Sequence, residues 1–152
     1  MSEHLGRDGM SKARGIARTV GVDYQTLAEF RYQLRRFLKR SEDAAREVGL
    51  EPQQHQLMLA IKGAPEGAEA TIRYLSERLL LKHHSTVELV DRLEAGALVQ
   101  REQSRDDRRR VCVRLTKKGE ALVARLARHN AEMLRGATPL MRALEAINRD
   151  EA

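Results

Sequence analysis

A chain of 152 residues, 41% hydrophobic and 33% charged, is long enough to bury a core without a disulfide or metal staple. Its single cysteine excludes an internal disulfide framework and a cysteine-cluster metal site; the 3% aromatic content, with no tryptophan, argues against a platform that stacks single-stranded bases. The 28 basic against 22 acidic residues leave a net charge of +6, which points to a polyanionic partner.

The opening stretch MSEHLGRDGMSKARG lacks the apolar run of a secretory leader. The longest apolar runs, at 57–61 and 79–81, are far too short to span a bilayer, so the expected location is the cytoplasm, with no membrane partner. Residues 1–23 are rich in Gly, Ser, Arg and Asp without an apolar period, and are expected to form a flexible arm. From 24 to 48 the positions Leu27, Phe30, Leu34, Phe37, Ser41, Ala45 and Val48 keep a spacing of three to four, which predicts a long amphipathic helix closed by Gly49. Pro52 opens a second helix over 52–62 that Gly63 ends, and GAPEGAEA is a loop. Thr71 caps a short helix over 72–79. A fourth helix covers 83–95 with Gly96 as its stop, although a capping box from Ser85 to Glu88 would start it two residues later.

The period then changes. Residues 98–102 and the alternating 111–115 predict two strands of a hairpin around the charged turn SRDDRRR. Thr116 caps a fifth helix carrying Leu122, Val123, Leu126, Met133 and Leu134; Pro139 interrupts, and a last helix carries Leu140, Met141, Leu144 and Ile147. The charge excess is concentrated: residues 71–119 hold 12 basic and 7 acidic groups, while 24–70 and 120–152 are each neutral.

Helix, turn, helix and basic hairpin in that order predict a fold that is mainly α with a small β-hairpin wing, a winged helix-turn-helix between long N- and C-terminal helices. The helix at 83–95 is the right width for a major groove, and the hairpin can reach flanking phosphates or the minor groove. On a helical wheel Leu89, Val90 and Leu93 bury, with Thr86 at the edge. His84, Ser85, Glu88, Asp91 and Arg92 point out. Glu88 is unusual, because a carboxylate on that face repels phosphate. It must read a cytosine amino group, bind an arginine, or lie off the DNA.

The stretch 71–119 resembles the DNA-binding lobe of the multiple antibiotic resistance regulator (MarR) family. The family's wing signature D-x-R-x-x-x-V-x-L-T is present as Asp107, Arg109, Val113, Leu115 and Thr116, followed by Gly119. Ser85-Thr86-Val87, Leu89-Val90-Asp91-Arg92-Leu93-Glu94, Gly96 and Leu98-Val99 match its recognition helix and exit, and the flanking helices extend the likeness over about residues 24–150. The resemblance implies a homodimeric regulator of transcription, a repressor, that binds an inverted-repeat duplex and is released by a small phenolic or aromatic-acid effector. It implies four parts: the arm at 1–23, N-terminal dimerisation helices with an effector crevice at 24–62, the DNA-binding lobe at 63–119, and C-terminal dimerisation helices at 120–152. The apolar stripe of the first helix, too long for one small monomer to cover, also argues for a dimer.

The expected DNA contacts are His84, Ser85, Thr86, Glu88, Arg92, Arg108, Arg109 and Arg110, with Arg109 at the groove and Asp107 holding the wing's shape. The expected effector contacts are Phe30, His55, Met58 and Leu59. No histidine pair has the spacing of a helical zinc site, Cys112 reads as a packing residue, and no catalytic motif stands out, so no metal, cofactor or enzymatic activity is expected. Two rival functions remain: a ligand-independent architectural DNA-binding factor, and a small-molecule-binding protein without a DNA role.

Overall fold

The computed structural model describes residues 23–149; the arm expected at 1–23 lies outside them but for Asp23. Six helices and one hairpin follow in the order α1 Tyr24–Glu47, α2 Pro52–Lys62, α3 Ile72–Leu79, α4 His83–Ala95, β1 Val99–Gln103, β2 Val111–Leu115, α5 Lys117–Arg135 and α6 Thr138–Arg149. The expected fold class is what forms: a winged helix-turn-helix flanked by long helices.

Local chemistry sets the boundaries. Gly49 takes φ +82°, which lets the Leu50 N–H reach the Ala45 carbonyl at 3.0 Å and closes α1. Glu51 and Gln54 form a reciprocal capping box around Pro52 at the start of α2. Thr71 and Thr116 accept from the Tyr74 and Gly119 N–H groups and cap α3 and α5. α4 starts at His83 with Lys82 as its N-cap, so the later start at a Ser85–Glu88 capping box is not used. β1 is shifted one residue from its expected place, and the Thr116 N–H, opposite Leu98 in register, donates to the Leu98 carbonyl at 3.1 Å just beyond the paired strands. The break between α5 and α6 falls at Gly136 and Ala137; Pro139 does not interrupt a helix but sits in the first turn of α6, where its missing N–H costs nothing.

One core joins the elements. Leu57 and Met58 of α2, Leu75 of α3, Leu89, Val90 and Leu93 of α4, Val99 and Val113 of the hairpin, and Val123 and Leu126 of α5 are all buried in it. The strands pair antiparallel with Val99 opposite Leu115, and the Val113 N–H donates to the Ala70 carbonyl at 2.9 Å, tying the wing to the entry of α3. α6 packs along α1. Among the described residues no helix is long and apolar enough to cross a membrane.

The tightest junction lies where α5 meets the start of β1. A Cβ on Gly119 would stand 2.1 Å from the Leu98 carbonyl oxygen, a backbone atom with nowhere to go. Gly119→Ala is therefore expected to destabilise the chain by about 1–3 kcal/mol through overpacking, read as a lower urea midpoint. An unchanged midpoint would contradict the close approach.

Candidate nucleic-acid interface

α4 buries Thr86, Leu89, Val90 and Leu93 and exposes His84, Glu88, Asp91 and Arg92; Ser85 is half-buried near its start. No side chain caps its N-terminus, so the first N–H groups and the positive end of the helix dipole face outward. Thr86 must be removed from the expected DNA contacts. It is 0% exposed, and its hydroxyl lies 3.0 Å from Ser76 Oγ and 3.1 Å from the Lys82 carbonyl. Its β-methyl and hydroxyl serve the α3–α4 junction.

The turn between β1 and β2 projects Arg105, Arg108, Arg109 and Arg110 into solvent. Asp107 shapes this turn: its Oδ1 accepts from the Arg109 N–H at 2.9 Å, and its Oδ2 lies 3.9 Å from Arg110 Nε. Arg105, Arg108 and Arg109 have no carboxylate partner among the described residues. Their charge is free for an outside anion.

Two devices fix the face, and the sequence reading found neither. The first is a latch at the base of the wing. Glu69, in the loop before α3, accepts from the Ser104 hydroxyl and, at 3.0 Å, from the Arg105 N–H. The Ser104 oxygen in turn accepts from the Asp106 and Asp107 N–H groups at 3.2 Å each. The Ser104 hydroxyl bond, with the Arg105 N–H second, holds the Glu69 carboxyl below its ordinary pKa. The second device is Arg101 on β1. Its guanidinium meets Asp91 Oδ1 at 2.6 Å and Glu94 Oε2 at 2.5 Å, while its N–H donates to Glu94 Oε1 at 3.1 Å. Burial would lower its pKa, but the hydrogen bonds to Asp91 and Glu94 outweigh that and raise it. On the same hairpin Arg114 pairs with Glu102 at 2.6 Å. The signal missed in the sequence was an arginine alternating along β1 while acids recur on one side of α4.

The four expected effector residues do not line one cavity. His55 and Met58 are sealed in the interior, at 1% and 0% exposure. Phe30 is half-buried on α1. Leu59 faces a separate cleft of about 400 Å³ between α2 and α3, with Gln56, Tyr74 and Arg78. A cleft of about 380 Å³ between α1, α5 and α6 holds Arg36, Phe37, Arg40, His129 and Met133, none of them expected from the sequence. His55 Nε2 is buried without a hydrogen-bond partner. Among the described residues no three His, Cys, Asp or Glu side chains gather as a metal site. Cys112 is buried on β2, its Sγ 3.5 Å from the Glu102 carbonyl oxygen.

Helix, turn, outward helix and arginine-tipped hairpin on one core define a winged helix-turn-helix protein. Residues 48–110 match the model of the MarR family. The fold is similar to that of MepR, a transcription regulator of the Staphylococcus aureus multidrug efflux pump MepA, at 18% identity over 76% of this chain and 82% of that one, with a TM-score of 0.65. It is also similar to a mutant S. aureus MepR bound to an oligodeoxyribonucleotide (19% identity, 76% and 82% covered, TM-score 0.61). A MarR family protein from Bacillus stearothermophilus matches at 22% identity over 86% of this chain and 99% of that one, with a TM-score of 0.64. No curated protein matches the chain. The match over residues 48–110 is a likeness of that segment to the MarR family, and the fold is the winged helix-turn-helix of the MarR-family structures.

The state of His55 can be tested by pH. Burial pushes its pKa below the ordinary histidine value, so the folded chain holds the neutral imidazole. The unfolded chain takes up a proton below about pH 6.5, and stability present above that value is lost as pH falls through it. Urea midpoints are expected to fall on acidification below that range, with a shallower fall in His55→Gln. An identical pH dependence in the two proteins would contradict a buried neutral His55.

Proposed function

We propose that the chain acts as a homodimer on an inverted-repeat duplex, as a repressor released by a small aromatic-acid effector. α4 enters the major groove, with its open N-terminus and Ser85 against a phosphate and with His84, Glu88 and Arg92 toward the bases. The wing lies over the flanking backbone, where Arg109 reaches the minor groove and Arg108 and Arg110 add phosphate attraction. The observation that carries this reading is the division of charge. Asp91, Glu94 and Glu102 are each tied to an arginine of the hairpin, whereas Arg105, Arg108 and Arg109 stand unpaired at its tip.

Dimerisation rests on uncovered apolar surface. Leu27, Leu34 and Leu38 of α1, Leu134 of α5, and Met141 and Leu144 of α6 are exposed, and a two-fold copy packed on these helices would bury them. Two-fold symmetry sets two half-sites about 10 base pairs apart, and a dimer across them blocks polymerase access. The effector arm rests on the unpartnered His55 Nε2, which a phenol or carboxylate admitted by a local opening of the core would satisfy. A second reading, a ligand-independent DNA-binding factor, is favoured by the sealing of His55 and Met58. Titrating phenolic acids against the DNA complex separates the two: release supports the effector, and a complex stable to all of them supports the second reading.

Arg109→Ala is expected to cost about 1–3 kcal/mol of specific binding and to make the salt dependence shallower. A mobility-shift titration against duplexes selected from genomic DNA checks this. Unchanged affinity and slope would remove the wing from the interface.

A further inference from the structure

The carboxylate of Glu88 faces outward from α4 at a place where an acid is costly. Taking about 100° per residue, the buried positions 86, 89, 90 and 93 define one side of the helix, and Glu88 lies within about 30° of the opposite direction. His84 and Arg92 flank it one turn to either side, and all three are exposed. It therefore stands near the middle of the surface that would enter a groove.

The other acids of α4 are paired from within. Asp91 and Glu94 share Arg101, which draws both carboxylates toward β1 and away from the outward midline. Glu88 has no cation within ion-pair distance among the described residues. Of the three roles open to it from sequence, pairing with an arginine is not what forms among the described residues, and its place near the outward midline of α4 favours contact with a base over a position off the DNA. A lone carboxylate in a groove walled by phosphates lowers affinity for every duplex unless a base donates to it. In the major groove the donors are the N4 amine of cytosine and the N6 amine of adenine. Adenine sets its N7 acceptor beside N6, which repels a second carboxylate oxygen. Cytosine carries no acceptor of its own on that edge.

We propose that Glu88 is the specificity-determining residue of α4, accepting a hydrogen bond from the N4 amine of one cytosine in each half-site. The inference rests on the DNA-binding reading above and assigns the base that reading leaves open. Glu88 then contributes discrimination at the expense of general affinity, a repulsive device against all other pairs. Arg92, one turn away and likewise toward the bases, offsets part of the repulsion with its positive charge.

The test is selection from a random duplex library by the full-length protein and by Glu88→Ala and Glu88→Gln, with melting curves to check that both variants fold. The wild type is expected to fix one C·G pair per half-site and to lose about 5- to 100-fold in affinity when that pair is replaced. Glu88→Ala should lose the preference at that pair alone and bind non-specific duplex more tightly. Glu88→Gln should move the preference toward A·T, since an amide matches adenine N6 and N7. A selected motif that is the same in Glu88→Ala and the wild type overturns the role of Glu88 and leaves DNA binding standing. Failure of the wild type to select any duplex overturns the DNA reading and this role with it.

Discussion

The guanidinium of Arg101, wedged between Asp91 and Glu94, does two jobs at once. It bolts the first strand of the wing to the outward helix, so α4 and the hairpin form one rigid piece. It also offsets one of the two negative charges of Asp91 and Glu94 on the helix that faces the proposed duplex. Its side chain is about a quarter exposed and makes contacts at both ends of its fork, although its two carboxylate partners remain open to solvent. Together with the core that Leu89, Val90 and Leu93 share with Val99 and Val113, it sets the orientation of α4 relative to the wing arginines.

Other contacts extend the rigid piece at its edges. The Glu69–Ser104 latch anchors the root of the turn that carries Arg105 to Arg110, so those arginines are aimed from a fixed base. On the far side the Leu98 carbonyl, the Thr116 hydroxyl and the missing side chain of Gly119 lock α5 against the exit of α4. A displacement of α5 is thus passed to the helix-and-wing unit through backbone contacts. In a dimer built on α1, α5 and α6, the spacing of two such units would follow the packing of those helices. This is the physical route by which a small molecule bound near α1 and α2 could change affinity for a two-part site.

Much of the fold was legible because local chemistry and tertiary packing agree. Gly49, Pro52, Thr71, Gly96 and Thr116 mark ends that the chain uses, and the change from helical to alternating period marks the hairpin. The differences are small and lie at element ends: β1 begins at Val99 and not at Leu98, and Pro139 opens a helix where it was expected to interrupt one. The outward face of α4 was readable from the wheel, which put Thr86 at the buried edge; only its place among the expected DNA contacts fails, because its hydroxyl is spent inside on Ser76 and Lys82. Arg101 and Glu69 were not readable. Each acts across 7 to 36 residues of sequence, and neither belongs to a local pattern. The effector residues fared least well, since Phe30, His55, Met58 and Leu59 share neither an exposure nor a cavity.

The most direct test of the Arg101-centred helix-and-wing unit is the duplex affinity of Arg101→Gln, measured beside Arg101→Gln combined with Asp91→Asn and Glu94→Gln. The single change removes one cation and releases two carboxylates next to the DNA, so affinity should fall well beyond the loss of one phosphate contact. The triple change removes those carboxylates and should recover most of the loss while helix content stays the same. Wild-type affinity in Arg101→Gln, or no recovery in the triple variant, would contradict the central place given to Arg101.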